Sequence, residues 1–79
     1  MRQKIYLFLT RYIKNRELKD DDDIFNLGLV NSLFTMQLVM FLENEFHIVI
    51  QNEELDWENF KSINSITSFV NKKLEELQE

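Results

Sequence analysis

With 79 residues, 44% of them hydrophobic, and a formal charge of −5, the chain has the material for one folded domain over residues 1–79 and little room for a second core. There is no cysteine, which excludes disulfides, thiolate metal sites and cysteine nucleophiles within the chain. No apolar run approaches the roughly 20 residues of a membrane span. The opening MRQKIYLFLTRYIK carries only Ile5 to Leu9 as an apolar run, with no small-residue cleavage site after it, so no signal peptide and a cytoplasmic location are expected.

Charge is unevenly spread. Residues 1–19 hold six bases and one acid, residues 20–60 ten acids and no base, and residues 61–79 three of each. A middle segment without positive charge repels nucleic acid and suits a basic protein partner. Solubility alone accounts for the same balance.

The first helix is expected over residues 3–15. Ile5, Phe8, Leu9, Tyr12 and Ile13 recur three and four apart, the period of one helix face, and Leu7 falls at the edge of that stripe. Lys14 and Arg16 sit where positive charge suits the carbonyl end. Residues 17–31 form a connection longer than most helix loops, so it should pack or carry function. Ile24, Phe25, Leu27 and Leu29 argue that it folds back over the core. Gly28, the only glycine, offers backbone freedom that a plain turn would use equally well.

A second helix is expected over residues 32–46, capped by Asn31. Leu38, Val39, Leu42 and Phe46 make its core face. Leu33, Met36 and Met40, with Phe34 and Phe41, are left for other walls or for a partner. Ile48 to Ile50 read as a buried extended connection, since no second strand exists to pair with it. Asp56 starts a short helix through Phe60, anchored by Leu55, Trp57 and Phe60. Residues 64–77 read as the last helix, capped by Ser62 or Asn64, with Ile63, Ile66, Phe69, Val70, Leu74 and Leu77 facing inward. The fold class is therefore all-α, a bundle of three main helices and a short third one.

The sequence offers little for catalysis. Ser32 would need a base, but His47, the only histidine, stands at the far end of the same helix, roughly 20 Å away. Asp20 to Asp23 invite a calcium reading, yet no register places glycine at the sixth position and glutamate at the twelfth; a solvated acid run explains them better. Ser32 is different. Serine at a helix start is usually structural, but the unpaired N–H groups there also accommodate a phosphate or phosphodiester.

The stretch LGLVNSLFTMQLVMFLENEF, residues 27–46, resembles the modification region of acyl and peptidyl carrier proteins. The order of elements, the loop ending in LGL, the serine-leucine pair and the NEF at 44–46 carry the resemblance across residues 3–77. It implies an acyl-carrier type four-helix bundle that is not itself an enzyme. In this family a 4'-phosphopantetheine arm, transferred from coenzyme A, is attached to the serine, here Ser32, and its thiol holds an acyl or aminoacyl unit as a thioester. Leu33, Phe34, Met36, Met40, Glu43, Ile50 and Ile63 are implied as partner-contact residues, with Trp57 near the arm or partner. No metal is implied, and a monomer is expected.

The departures narrow the resemblance. Asn31 stands where the family usually has aspartate, and Phe34, Gln37 and Asn44 stand where many fatty-acid carriers have acids. His47 occupies a place where glycine is common, so the second helix is expected to end differently. The GLVNSLFTMQLVMFLE pattern most resembles stand-alone carriers of hydroxymalonyl, methoxymalonyl or aminomalonyl units. Those feed polyketide or hybrid peptide–polyketide assembly in secondary metabolism, including antibiotic biosynthesis. The implied partners are a phosphopantetheinyl transferase, an acyl-loading enzyme, dehydrogenases or other tailoring enzymes, and acyltransferase or synthase modules. The competing expectations are a D-alanyl or general acyl carrier, and an unmodified helical interaction module in which Ser32 is only structural.

Overall fold

In a computed structural model, which describes residues 1–13, 17–26 and 32–77, four α-helices follow one another: α1 (Arg2–Ile13), α2 (Ser32–Phe46), α3 (Trp57–Phe60) and α4 (Ile63–Leu77). A 3-10 turn, Asn52–Glu54, which periodicity did not reveal, precedes α3. The all-α bundle is therefore as expected. Asn31, Gly28, Leu27 and Leu29, with Lys14, Arg16 and the side chain of Ile13, lie outside the described residues.

The helix stripes meet in one core. α1 contributes Ile5 and Leu9, α2 contributes Phe34, Leu38 and Leu42, and α4 contributes Ile63, Ile66, Phe69 and Val70. Phe60 brings α3 into the same cluster, with its ring edge-on to Phe69 at 5.2 Å. Burial at this density, worth about 1.5–3 kcal/mol for each large apolar side chain, is what holds four short helices that would be marginal alone.

The first connection packs as expected. Ile24 is fully buried, Phe25 lies against the core, and Leu18 is buried as well. Backbone bonds fasten this segment to the α3–α4 junction: the Ile24 N–H donates to the Lys61 carbonyl at 2.8 Å, and the Asn64 N–H donates to the Asp20 carbonyl at 2.9 Å. The acids that precede Ile24 serve local geometry. The Asp22 carboxylate accepts from the Lys19 N–H, Asp23 accepts from the Phe25 N–H, and Asp20 takes a forked pair of bonds from Arg2. Among the described residues no group of three or more acids, histidines or cysteines could hold a metal ion.

The caps decide the remaining boundaries. Asp56 caps α3 by accepting from the Glu58 N–H. Ser62, rather than Asn64, caps α4: its Oγ accepts from the Ser65 N–H at 3.1 Å, so the helix starts at Ile63. His47 closes α2 at φ 56°. The helix thus ends in the left-handed conformation despite the missing glycine, contrary to the expectation of a different end.

Four inward assignments are corrected. Tyr12, Leu55, Trp57 and Leu77 are all exposed, at 46, 44, 46 and 64%. Leu77 ends the last turn of α4, and Leu55 and Trp57 flank the start of an α3 too short to bury more than Phe60. Tyr12 still packs the side of its ring on Phe8 and Phe34. Between α2 and the 3-10 turn, Ile48 is buried, Val49 is exposed and Ile50 is half-buried. That alternation is the period of an extended backbone.

Candidate functional site

Ser32 is the first residue of α2 and is exposed. Its hydroxyl makes no hydrogen bond among the described residues. The first turn of α2 contains no acid, so none of its own side chains opposes a negative charge at the helix tip. A phosphodiester at this position would be supported by the positive end of the helix dipole. His47, the only histidine, stands fifteen helical residues away, which leaves Ser32 without a histidine base of its own.

Successive residues turn about 100° around a helix, so Leu33, Met36 and Met40 fall within about 100° of Ser32 on α2. All three are exposed, at 66, 54 and 56%. Two other partner-contact expectations are overturned. Phe34 is 7% exposed because it points about 200° away from Ser32, toward α1, where it meets Phe8 and Tyr12. Ile63, at the head of α4, is 1% exposed and belongs to the core.

Glu43 and Ile50 are half-buried and joined to each other. The Ile50 N–H donates to the Glu43 carboxylate at 2.9 Å. Glu43 therefore braces the extended segment against α2, and Ile50 packs against the core. Trp57 is half-exposed, with the Lys61 ammonium 4.9 Å above its ring. Sequence reasoning passed over Val49, which is 64% exposed. The signal was present: in an extended Ile48–Val49–Ile50 the middle side chain must face opposite to its neighbours.

The fold and site thus define a small four-helix bundle that presents an exposed serine at the tip of its second helix. The family model described as "phosphopantetheine attachment site" matches residues 11–70. The chain belongs to this phosphopantetheine-binding family, whose cofactor is a covalently attached 4'-phosphopantetheine arm. It is 36% identical over 50 residues to the D-alanyl carrier protein of Streptococcus uberis (strain ATCC BAA-854 / 0140J), an alignment covering 63% of each chain. It is 34% identical over 50 residues to the D-alanyl carrier protein of Streptococcus suis (strain 05ZYH33), again covering 63% of each. The aligned chain thus spans somewhat under two thirds of these relatives' length.

Proposed function

We propose that Ser32 is the attachment residue and that the chain carries a D-alanyl or other small acyl unit between enzymes without catalysing a reaction itself. The observation that supports this best is the exposed, unbonded Ser32 hydroxyl at the head of α2, in a chain whose described relatives are D-alanyl carriers. When attached, the arm supplies a terminal thiol that holds the cargo as a thioester.

The chain's own residues have three tasks. Ser32 Oγ bonds to the pantetheine-side phosphorus of the coenzyme A pyrophosphate held by a transferase, the P–O bond to the nucleotide breaks so that adenosine 3',5'-bisphosphate leaves, and the hydroxyl proton passes to a base of the transferase. The positive end of the α2 dipole then stabilises the phosphodiester charge. Leu33, Met36 and Met40 offer a shallow apolar face on which successive enzymes dock weakly enough to release, and tethering supplies the effective concentration that weak docking does not. The partners this asks for are a phosphopantetheinyl transferase, a loading enzyme that activates the cargo, and an acceptor.

Carriage of a polyketide extender unit is the second reading. It draws on the apolar, acid-free first turn of α2, which suits a dedicated partner set.

Intact mass decides the first point. The chain incubated with a broad-specificity phosphopantetheinyl transferase, coenzyme A and magnesium should gain the mass of one arm, and Ser32→Ala should abolish the gain. A gain that persists in Ser32→Ala removes Ser32 from its role; no gain in the wild type removes the attachment altogether. Cargo is then read from the mass of the thioester species isolated from native cells. A D-alanyl adduct supports the first reading, and a glyceryl, seryl, hydroxymalonyl, methoxymalonyl or aminomalonyl adduct supports the second.

A further inference from the structure

We propose that the groove between α1 and α2 is a second docking site, fitted to an acidic amphipathic helix of a partner protein and usable while the Ser32 face is engaged elsewhere. The groove is a surface cleft of about 330 Å³ lined by Lys4, Leu7, Phe8, Arg11, Phe41 and Glu45. That volume is at the bottom of the range for small-molecule pockets, but it suits side chains projecting from a docked element.

Its floor is apolar and rigid. The rings of Phe8 and Phe41 stack with centroids 4.4 Å apart and planes 14° from parallel, and Phe8 is fixed from behind by Tyr12 and Phe34. Leu7 extends this floor to the rim, where it is 53% exposed. A lone exposed leucine is ordinary; this one is continuous with an aromatic floor and stands between two cations. Lys4, Leu7 and Arg11 form one row along α1, spaced three and four residues apart.

Charge selects the occupant. Lys4 is paired across the groove with Glu45. Arg11 is exposed and makes no ion pair or hydrogen bond among the described residues. The groove therefore carries an uncompensated positive charge in a chain whose net charge is −5, on the one segment, residues 1–19, where bases outnumber acids six to one. An apolar strip beside an open cation matches a helix whose leucine row is flanked by glutamates.

The site is independent of the serine. Around α2, Phe41 and Glu45 lie about 180° and 220° from Ser32, whereas Leu33, Met36 and Met40 lie within about 100° of it. A partner held in the groove leaves the Ser32 face open, so the carrier could stay tethered to one protein while it serves another.

The test uses the full chain without its arm, so its result does not depend on the role of Ser32. The probe is a labelled helical peptide with leucines at i, i+3, i+4 and i+7 and glutamates between them, titrated by fluorescence anisotropy at low salt. Binding is expected, weakened roughly tenfold by Arg11→Glu and also by Leu7→Asn. Met40→Glu should leave it unchanged, and circular dichroism should report the same helix content in all variants. No binding at millimolar chain overturns the proposal. So does equal binding of a lysine version of the peptide, indifference to Arg11→Glu, or a loss shared by Met40→Glu. Sedimentation over a concentration series covers the remaining occupant: a dimer dispersed by Arg11→Glu would assign the groove to a second copy and overturn the partner-helix proposal.

Discussion

His47 is the one described non-glycine residue in the left-handed region, at φ 56°. A side chain with a Cβ costs about 1–2 kcal/mol there, and glycine avoids that cost while losing some of the advantage to its greater freedom in the unfolded chain. His47→Gly is therefore expected to stabilise the protein by about 0.5–1 kcal/mol, read as a higher urea midpoint with an unchanged slope. A lower midpoint would mean that the imidazole makes a contribution its exposed position conceals. The strain is local: α2 ends at Phe46 because Ile48 must turn into the core, and the left-handed residue makes that turn. The sequence located the unusual residue, but could not show that the demand to bury Ile48 outweighs the preference of histidine.

At the scale of elements, the connection before α2 is as structural as the helices. Ile24 is fully buried, and its N–H is bonded to the Lys61 carbonyl. Ile24→Ala should cost about 2–5 kcal/mol in denaturant unfolding; a loss below 1 kcal/mol would show that the segment can peel away without disturbing the bundle. α2 makes the opposite demand on its outer face. Met40 is 56% exposed, so Met40→Glu should leave the unfolding midpoint within about 0.5 kcal/mol while slowing cargo transfer by the cognate enzymes. Unchanged transfer kinetics would move the docking face elsewhere. These elements differed in how readily the sequence revealed them. α2 and α4 were legible because a 3.6-residue apolar period runs their full length, and α2 was read to its final boundaries. The face of a single residue was harder wherever α2 is apolar on more than one side. Phe34 looked available to a partner, yet the aromatic residues of α1 claim it. Leu55 and Trp57 looked like anchors, yet α3 spans only four residues and buries one side chain. The 3-10 turn had no periodicity to announce it. The exposure of Ser32, Leu33, Met36 and Met40 was legible, since a helix start and one outward stripe are both local properties; the bond from a backbone N–H seven residues away to the Glu43 carboxylate was not.

Across the whole molecule, charge segregation binds distant elements together and ties stability to pH. Lys73 on α4 donates to both oxygens of Glu54 in the 3-10 turn, at 2.9 and 3.1 Å. These hydrogen bonds, then the bond from the Gln51 N–H, hold the Glu54 carboxyl below its usual value. Arg2 does the same to Asp20, joining α1 to the first connection, but at the surface, where an ion pair contributes little and salt screens it. Both carboxyls are easier to ionise in the folded state than in the unfolded one. The stability they confer is therefore complete above their unfolded values, near pH 4, and is lost as pH falls through the lower folded values. The Lys73 side chain is only 13% exposed and that of Glu54 26%, so this pair should resist salt better than the exposed one. Lys73→Met removes the main cause of the Glu54 shift. The variant should lose less stability between pH 6 and pH 3 than the wild type does, with the difference surviving 0.5 M salt, whereas Arg2→Gln should flatten the acid limb only at low ionic strength. Wild-type and Lys73→Met stability curves that run parallel through the acid range would show that the α4 tie does not set the acid response, and that the carboxylates outside these two pairs govern it.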